Sequence, residues 1–346
     1  MAQVRTVNGP VDPAELGGVL SHEHVLALTP GPWLSGGPRG GDRDQAEAFA
    51  REQVALAVAA LSGLRAHGIG TVVDLSPYGD AGRDAQGANV VLLQEISRRS
   101  GLHVVCGTAT YREGFSPQWV REASVQDLTR RFVQDATEGI AGTGVRAGIL
   151  GEQPTGLDEI TDHERKGLRA AARAHHATGL AVSTHTTHGT MALEQLDLLA
   201  AEGVPLDRVV VGHLDNHPDL DYVRRVLDRG AAVAFDSIGK QTWDLRLPPP
   251  PGQLPDGPYP KQALRRSDTT RADRLAALAA EGHADRILLS HDLTGGQAHL
   301  NPATHGHWGY TYLSAVFVPM LTERGVTAAQ TDAMLRTTPA RLLSVG

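Results

Sequence analysis

The chain is poor in cysteine, lysine and aromatic residues. One residue of 346 is a cysteine, Cys106, which excludes an internal disulfide and fits a reducing compartment. Lysine occurs only at 166, 240 and 261, so arginine carries nearly all the positive charge. With aromatics at 4%, Ala, Gly and Leu must fill the interior. No run approaches the ~18 uninterrupted apolar residues of a membrane-spanning helix. Residues 1–13 lack the basic segment and apolar core of a secretory signal. A formal net charge of -7 gives no electrostatic reason to expect nucleic acid or an anionic membrane as partner. The expectation is a cytoplasmic globular protein acting on a small molecule.

What is present is alternation. Short β-branched runs (Thr71–Asp74, His103–Cys106, Val209–Gly212, Ile287–Ser290) are separated by Ala/Leu/Arg stretches with apolar residues at helical spacing, at 86–100, 161–178, 190–202, 217–229 and 269–282. Buried strands alternating with amphipathic helices indicate a parallel sheet covered by helices. Eight strands are expected, at about 17–22, 70–74, 103–107, 145–150, 180–184, 208–212, 231–235 and 286–290. Eight such units point to a (β/α)8 TIM barrel, with an open doubly wound sheet as the alternative. Nothing in composition breaks residues 1–346 into two domains. Two segments, 239–267 with its proline run and 293–309, each follow a strand and are expected as long loops over the catalytic face.

The ligand-type residues gather at the ends of these strands. His22 and His24 form an H-x-H pair, and residues two apart on a strand point the same way. Alone, that pair could be chance among 16 histidines. Glu152, His185, His213 and Asp292, however, each stand at or just beyond the end of a further strand, where barrel enzymes build active sites. Four imidazoles and two carboxylates suit Zn, Mn, Co, Ni or Fe better than Ca or Mg. Six ligands exceed the need of one tetrahedral zinc, and a pair of divalent metals at the C-terminal ends of the strands, bridged by a carboxylate and a hydroxide, accounts for the number. Water shared by two cations ionises near neutral pH, which makes that hydroxide the expected nucleophile. One metal would polarise the oxygen on which charge develops.

The blocks SHEHV (21–25), TYREGFSP (110–117), GVRAGILGE (144–152), STHTTHGTMALEQL (183–196), VVVGHLD (209–215), VAFDSIGK (233–240) and ILLSHDLT (287–294) resemble the phosphotriesterase family of the amidohydrolase superfamily, and most of all its bacterial branch called phosphotriesterase homology proteins. The resemblance spans about Gly18 to Leu343. It implies that His22, His24 and Asp292 hold the more buried metal and that His185 and His213 hold the more exposed one. Many members bridge the metals with a carboxylated lysine. The fourth strand here has no lysine, and Glu152 is the available bridge, as in that branch. Relatives are often homodimers.

Asp292 is expected both to ligate metal and, as the catalytic residue, to carry the proton to the leaving group. Tyr111 matches a tyrosine that reaches over the metals in related lactonases. Lys240 and Asp236, at the end of the seventh strand, are candidate substrate contacts, Lys240 the stronger because lysine is so rare. Arg83 reads as a structural donor, His291 as pointing away from the ligands, and Cys106 as a small buried hydrophobe. The uncharged run after Asp292 disfavours a phosphorylated substrate. The expected reaction is hydrolysis of a carboxylic ester, lactone or amide. Alternatives are phosphotriester hydrolysis, a mononuclear hydrolase, and a catalytically silent metal-binding barrel.

Overall fold

The computed structural model describes residues 2–26, 43–79, 83–240, 245–247, 263–294 and 309–346. Eight parallel strands organise it: β1 (Gly18–Glu23), β2 (Ile69–Asp74), β3 (His103–Cys106), β4 (Leu150–Thr155), β5 (Val182–Thr186), β6 (Val209–Gly212), β7 (Ala232–Phe235) and β8 (Ile287–Leu289). They form two sheets, ordered β1-β2-β3 and β4-β5-β6-β7-β8. Hydrogen bonds cross both seams. Gly107 pairs in parallel with Ile149, and Gly148 N donates to Cys106 O at 2.8 Å. On the other side Asp292 N donates to His22 O and His24 N to Leu293 O, each at 3.0 Å.

Side-chain alternation sorts the apolar residues of the strands onto two faces. Val19, Val73, Val105, Ile149, Ala181, Val210, Ala232, Ala234 and Leu288 share one buried cluster. Their neighbours Leu20, Val72, Val104, Leu150, Val182, Val211, Val233 and Leu289 belong to the other, packed under the helices. The second cluster takes the apolar faces of helices such as Val125–Thr137 and Asp162–Thr178. Both helices begin with reciprocal capping, Ser124 with Asp127 and Thr161 with Glu164, which satisfies donors that the first turn leaves open. Gly179 ends the second in a left-handed cap.

Two expected boundaries move. The fourth strand runs over Leu150–Thr155 instead of 145–150, because Ala147 N bonds to Asp135 O, Gly148 N bonds across the seam to Cys106 O, and pairing with β5 starts only at Leu150. Within 239–267, Leu245–Leu247 pairs antiparallel with Ala263–Arg265, so part of the expected loop is a two-stranded ribbon, while the proline run at 248–262 lies outside the described residues. Of the segment 293–309, residues 295–308 also lie outside them. A hairpin of Gln3–Thr6 and Gly9–Val11, closed by Ser344–Val345, has no counterpart in the strand pattern of the sequence. Among the described residues no helix is long and apolar enough to cross a membrane.

Candidate metal centre

Six side chains from five segments meet at the C-terminal ends of the strands. Glu152 is central. Its Oε2 lies 3.3 Å from His22 Nε2, 3.0 Å from His185 Nδ1 and 3.6 Å from His213 Nε2, and its Oε1 lies 3.3 Å from His24 Nε2. Asp292 Oδ1 is 3.1 Å from His24 Nε2 and 3.8 Å from His22 Nε2. His213 Nε2 and His185 Nδ1 are 2.9 Å apart. Two triads, His22–Glu152–His213 and His22–His24–Asp292, bring their ligand atoms within 4.8 Å of one another.

The backbone explains how these residues come to face inward. On β5, Ala181 already faces the inner cluster, so Ser183 and His185 follow by alternation. On β1 strict alternation from Val19 would turn His22 and His24 outward. A register irregularity between Leu20 and Glu23 reverses the parity. β4 does the same between Leu150 and Gln153, where Glu152 sits. His213 and Asp292 end their strands at φ of 62° and 55°, left-handed values that non-glycine residues hold at a penalty. Strained backbone at the tips of two strands is a common sign of a functional site. Gly107 and Gly151 allow the close approach beneath Glu152: a Cβ on Gly107 would stand 2.1 Å from Gly151 O.

A further layer of hydrogen bonds fixes each ring. Asp236 is fully buried, and its two carboxylate oxygens lie 2.8 Å from His22 Nδ1 and 2.8 Å from His213 Nδ1. It also accepts from the His213 backbone N–H at 2.9 Å. His24 Nδ1 lies 3.2 Å from Ser76 Oγ. His22, His213 and His24 therefore present Nε2 to the centre, whereas His185 presents Nδ1. Glu23, between the two histidines of the pair, accepts from Ser290 Oγ at 2.7 Å, from the N–H groups of His291 and Leu293 at 2.9 Å, and from His291 Nδ1 at 2.9 Å. His291 Nε2 accepts from Leu313 N at 3.3 Å, so this ring faces away from the centre. Arg83 donates to Asp74 and to Gly107 O, as a structural donor should.

The sequence reading placed Asp236 as a possible substrate contact; the structure makes it the clamp of two histidines. Alternation from Ala232 and Ala234 is the signal that could have assigned it, since 236 falls on the same inner face. Lys240 Nζ is 2.6 Å from Asp292 Oδ2, a pairing not anticipated for it. The Tyr111 ring stands edge-on to His185, centroids 5.6 Å apart, at the rim.

The charges are interlocked. Burial raises the carboxyls of Glu152 and Asp292, but His22 and His185 around the first and Lys240 and His24 around the second hold both well below the usual carboxylate range. Burial opposes protonation of His24 and His213. The carboxylates nonetheless raise His24 to about 9, through Asp292 and Glu152, and His213 to about 10, through Asp236 and Glu152. His22 Nε2 is sealed from solvent and has no hydrogen-bond partner among the described residues. A buried imidazole nitrogen left open, in a cluster of imidazoles and carboxylates, fits a divalent cation.

Known proteins resemble the chain over most of its length. The model of the phosphotriesterase family matches residues 2–343. A phosphotriesterase homology protein of Escherichia coli is 36% identical over 290 residues, 84% of this chain and 89% of that protein. An N-acetyltaurine hydrolase of Tetraodon nigroviridis is 28% identical, covering 99% of this chain and 98% of the relative. Among solved structures, a triple mutant of the organophosphorus hydrolase from Deinococcus radiodurans superposes with a TM-score of 0.77 at 32% identity, over 98% of this chain and 97% of that one.

Proposed function

The chain belongs to the phosphotriesterase family and is a hydrolase, and from that premise we propose that it cleaves a carboxylic ester, lactone or amide at a binuclear metal centre. The observation that carries this reading is the convergence of His22, His24, Glu152, His185, His213 and Asp292 around the open Nε2 of His22. Under it, the two sheets read as one closed (β/α)8 barrel, with the centre at the C-terminal ends of its strands.

His22, His24 and Asp292 would hold one cation, His185 and His213 the other, and Glu152 would stand between them. Divalent cations bound there, zinc foremost, supply a water acidic enough to ionise near neutral pH and an electrophile for the oxygen of the scissile group. Asp236 and Ser76 hold the tautomers and ring orientations that keep Nε2 directed inward. Asp292 accepts the proton of the attacking water at Oδ1, on the side of His24, and returns it to the leaving group. Lys240 holds Oδ2 of the same carboxylate and keeps it ionised for that task. Tyr111 stands over His185 and shields one side of the approach.

Phosphotriester hydrolysis is a second reading, favoured by the likeness to the Deinococcus hydrolase. A panel of lactones, aryl esters, N-acyl amino acids and a paraoxon-type triester, assayed with the metal-loaded protein, separates the two. Turnover confined to carbonyl compounds, or far higher with them, supports the leading reading. Efficient turnover of the triester alone replaces it.

A further inference from the structure

Arg112 stands beside the site with no acidic partner among the described residues. Arg112 is half-buried, whereas the fully buried guanidiniums are matched: Arg83 by Asp74 and Gly107 O, Arg271 by Asp215 and Asp268. Arg112 forms no ion pair among the described residues, and its Nε is sealed from solvent with no hydrogen-bond partner among them. Its Cζ lies 5.9 Å from the Tyr111 ring centroid and 5.4 Å from that of Phe115. Tyr111 in turn meets His185 edge-on.

The segment is held in place. Ser116 Oγ donates to Tyr111 O at 2.8 Å, and His163 Nε2 donates to the same carbonyl at 3.0 Å. A guanidinium over two rings, on a backbone held in place and with its Nε unpartnered among the described residues, is a receptor for a planar or tetrahedral oxyanion. Lys240 is already paired with Asp292, so among the described residues beside the centre Arg112 offers a single uncompensated side-chain charge. That count suits a monoanion better than a phosphate dianion.

We infer that Arg112 receives a carboxylate or sulfonate on the substrate, set apart from the scissile bond, so that the substrate class is a small anionic acyl compound of the N-acyl amino acid type. The inference rests on the hydrolase reading above. Its rival is a purely packing role, in which the guanidinium only covers the two rings.

Matched probes decide between them: N-acetylglycine, its sulfonate analogue and neutral N-acetylglycinamide. Binding is read by calorimetry and turnover by amine release, on wild type, Arg112→Met and Arg112→Lys, all metal-loaded. Arg112→Met keeps an unbranched apolar stem over the rings. Wild type should favour the anions over the amide by about ten- to a hundred-fold in affinity and in kcat/KM, mainly through KM. Arg112→Met should bring that ratio close to one, and Arg112→Lys should recover part of it. The carboxylate and sulfonate arms show which oxyanion is preferred. Equal wild-type affinity for anion and amide overturns the inference, as does an Arg112→Met variant that weakens both alike. Binding preference without turnover of any probe counts against the hydrolytic reading alone.

Discussion

Asp236 Oδ2 lies 2.8 Å from His22 Nδ1, and this contact fixes which nitrogen His22 offers to the centre. The other oxygen of Asp236 does the same for His213, so a single buried carboxylate sets two of the four imidazoles. Asp236→Asn should leave secondary structure intact, because the amide is isosteric. It should weaken metal binding by about 10–100-fold, the usual effect of losing a carboxylate behind a histidine ligand. Metal competition with a fluorescent chelator measures this; unchanged affinity would remove Asp236 from the account.

Asp292 is predicted to matter for turnover more than for folding. Asp292→Asn should retain the melting temperature of wild type to within a few degrees and lower kcat by about 10²–10⁴-fold, the range for a lost general acid–base. Lys240 loses its partner in the same variant. Assays in excess metal separate a chemical defect from poor loading. Wild-type kcat in a fully loaded Asn variant would rule out the proton-carrying role.

Metal loading should depend steeply on pH. In the absence of metal the carboxylates overcome burial and hold protons on His24 up to about 9 and on His213 up to about 10. A cation must displace those protons, so apparent affinity rises with pH through neutrality and falls on acidification. Calorimetry in buffers of different ionisation heat should record net proton release at pH 7. Binding without proton release would contradict the electrostatic picture.

Strands such as Ile69–Asp74 and Val209–Gly212 were legible because their β-branched runs are buried on both faces, and the helices because their apolar spacing is regular. Ligand-type residues at the tips of those runs pointed to the site. Parity did not. His22, His24 and Glu152 face the centre only because β1 and β4 slip register, and no residue type announces such a slip. Asp236 was placed at the right end of the right strand but given the wrong partner. A carboxylate beside a metal site can face substrate or the back of a ligand, and one-dimensional spacing does not distinguish them. Glu23 was hidden in the same way, since its role is to accept N–H groups from residues 290–293, far away in the chain.

Acid sensitivity should also arise far from the centre. His175 is buried, with Nδ1 donating to Leu180 O at 2.7 Å; burial lowers its pKa against the opposing effect of that hydrogen bond, and His176 and Arg208 add to the lowering. The folded state therefore keeps His175 neutral where the unfolded chain binds a proton. Stability is unaffected well above the unfolded value of about 6.5 and declines as pH falls through it, levelling off below the folded value. The decline in melting temperature between pH 7 and 5 should be shallower for His175→Gln than for wild type. Parallel curves would show that this histidine does not contribute.

Metal content of Glu152 variants tests the paired-cation centre most directly. Plasma mass spectrometry on protein expressed in metal-supplemented medium should find about two divalent ions per wild-type chain, as a bridged centre requires. In Glu152→Gln, which removes the charge and keeps the shape, occupancy should fall to about one or below, with turnover lost in step. One tightly held ion in wild type, or Glu152→Gln with both ions and full activity, would contradict the account.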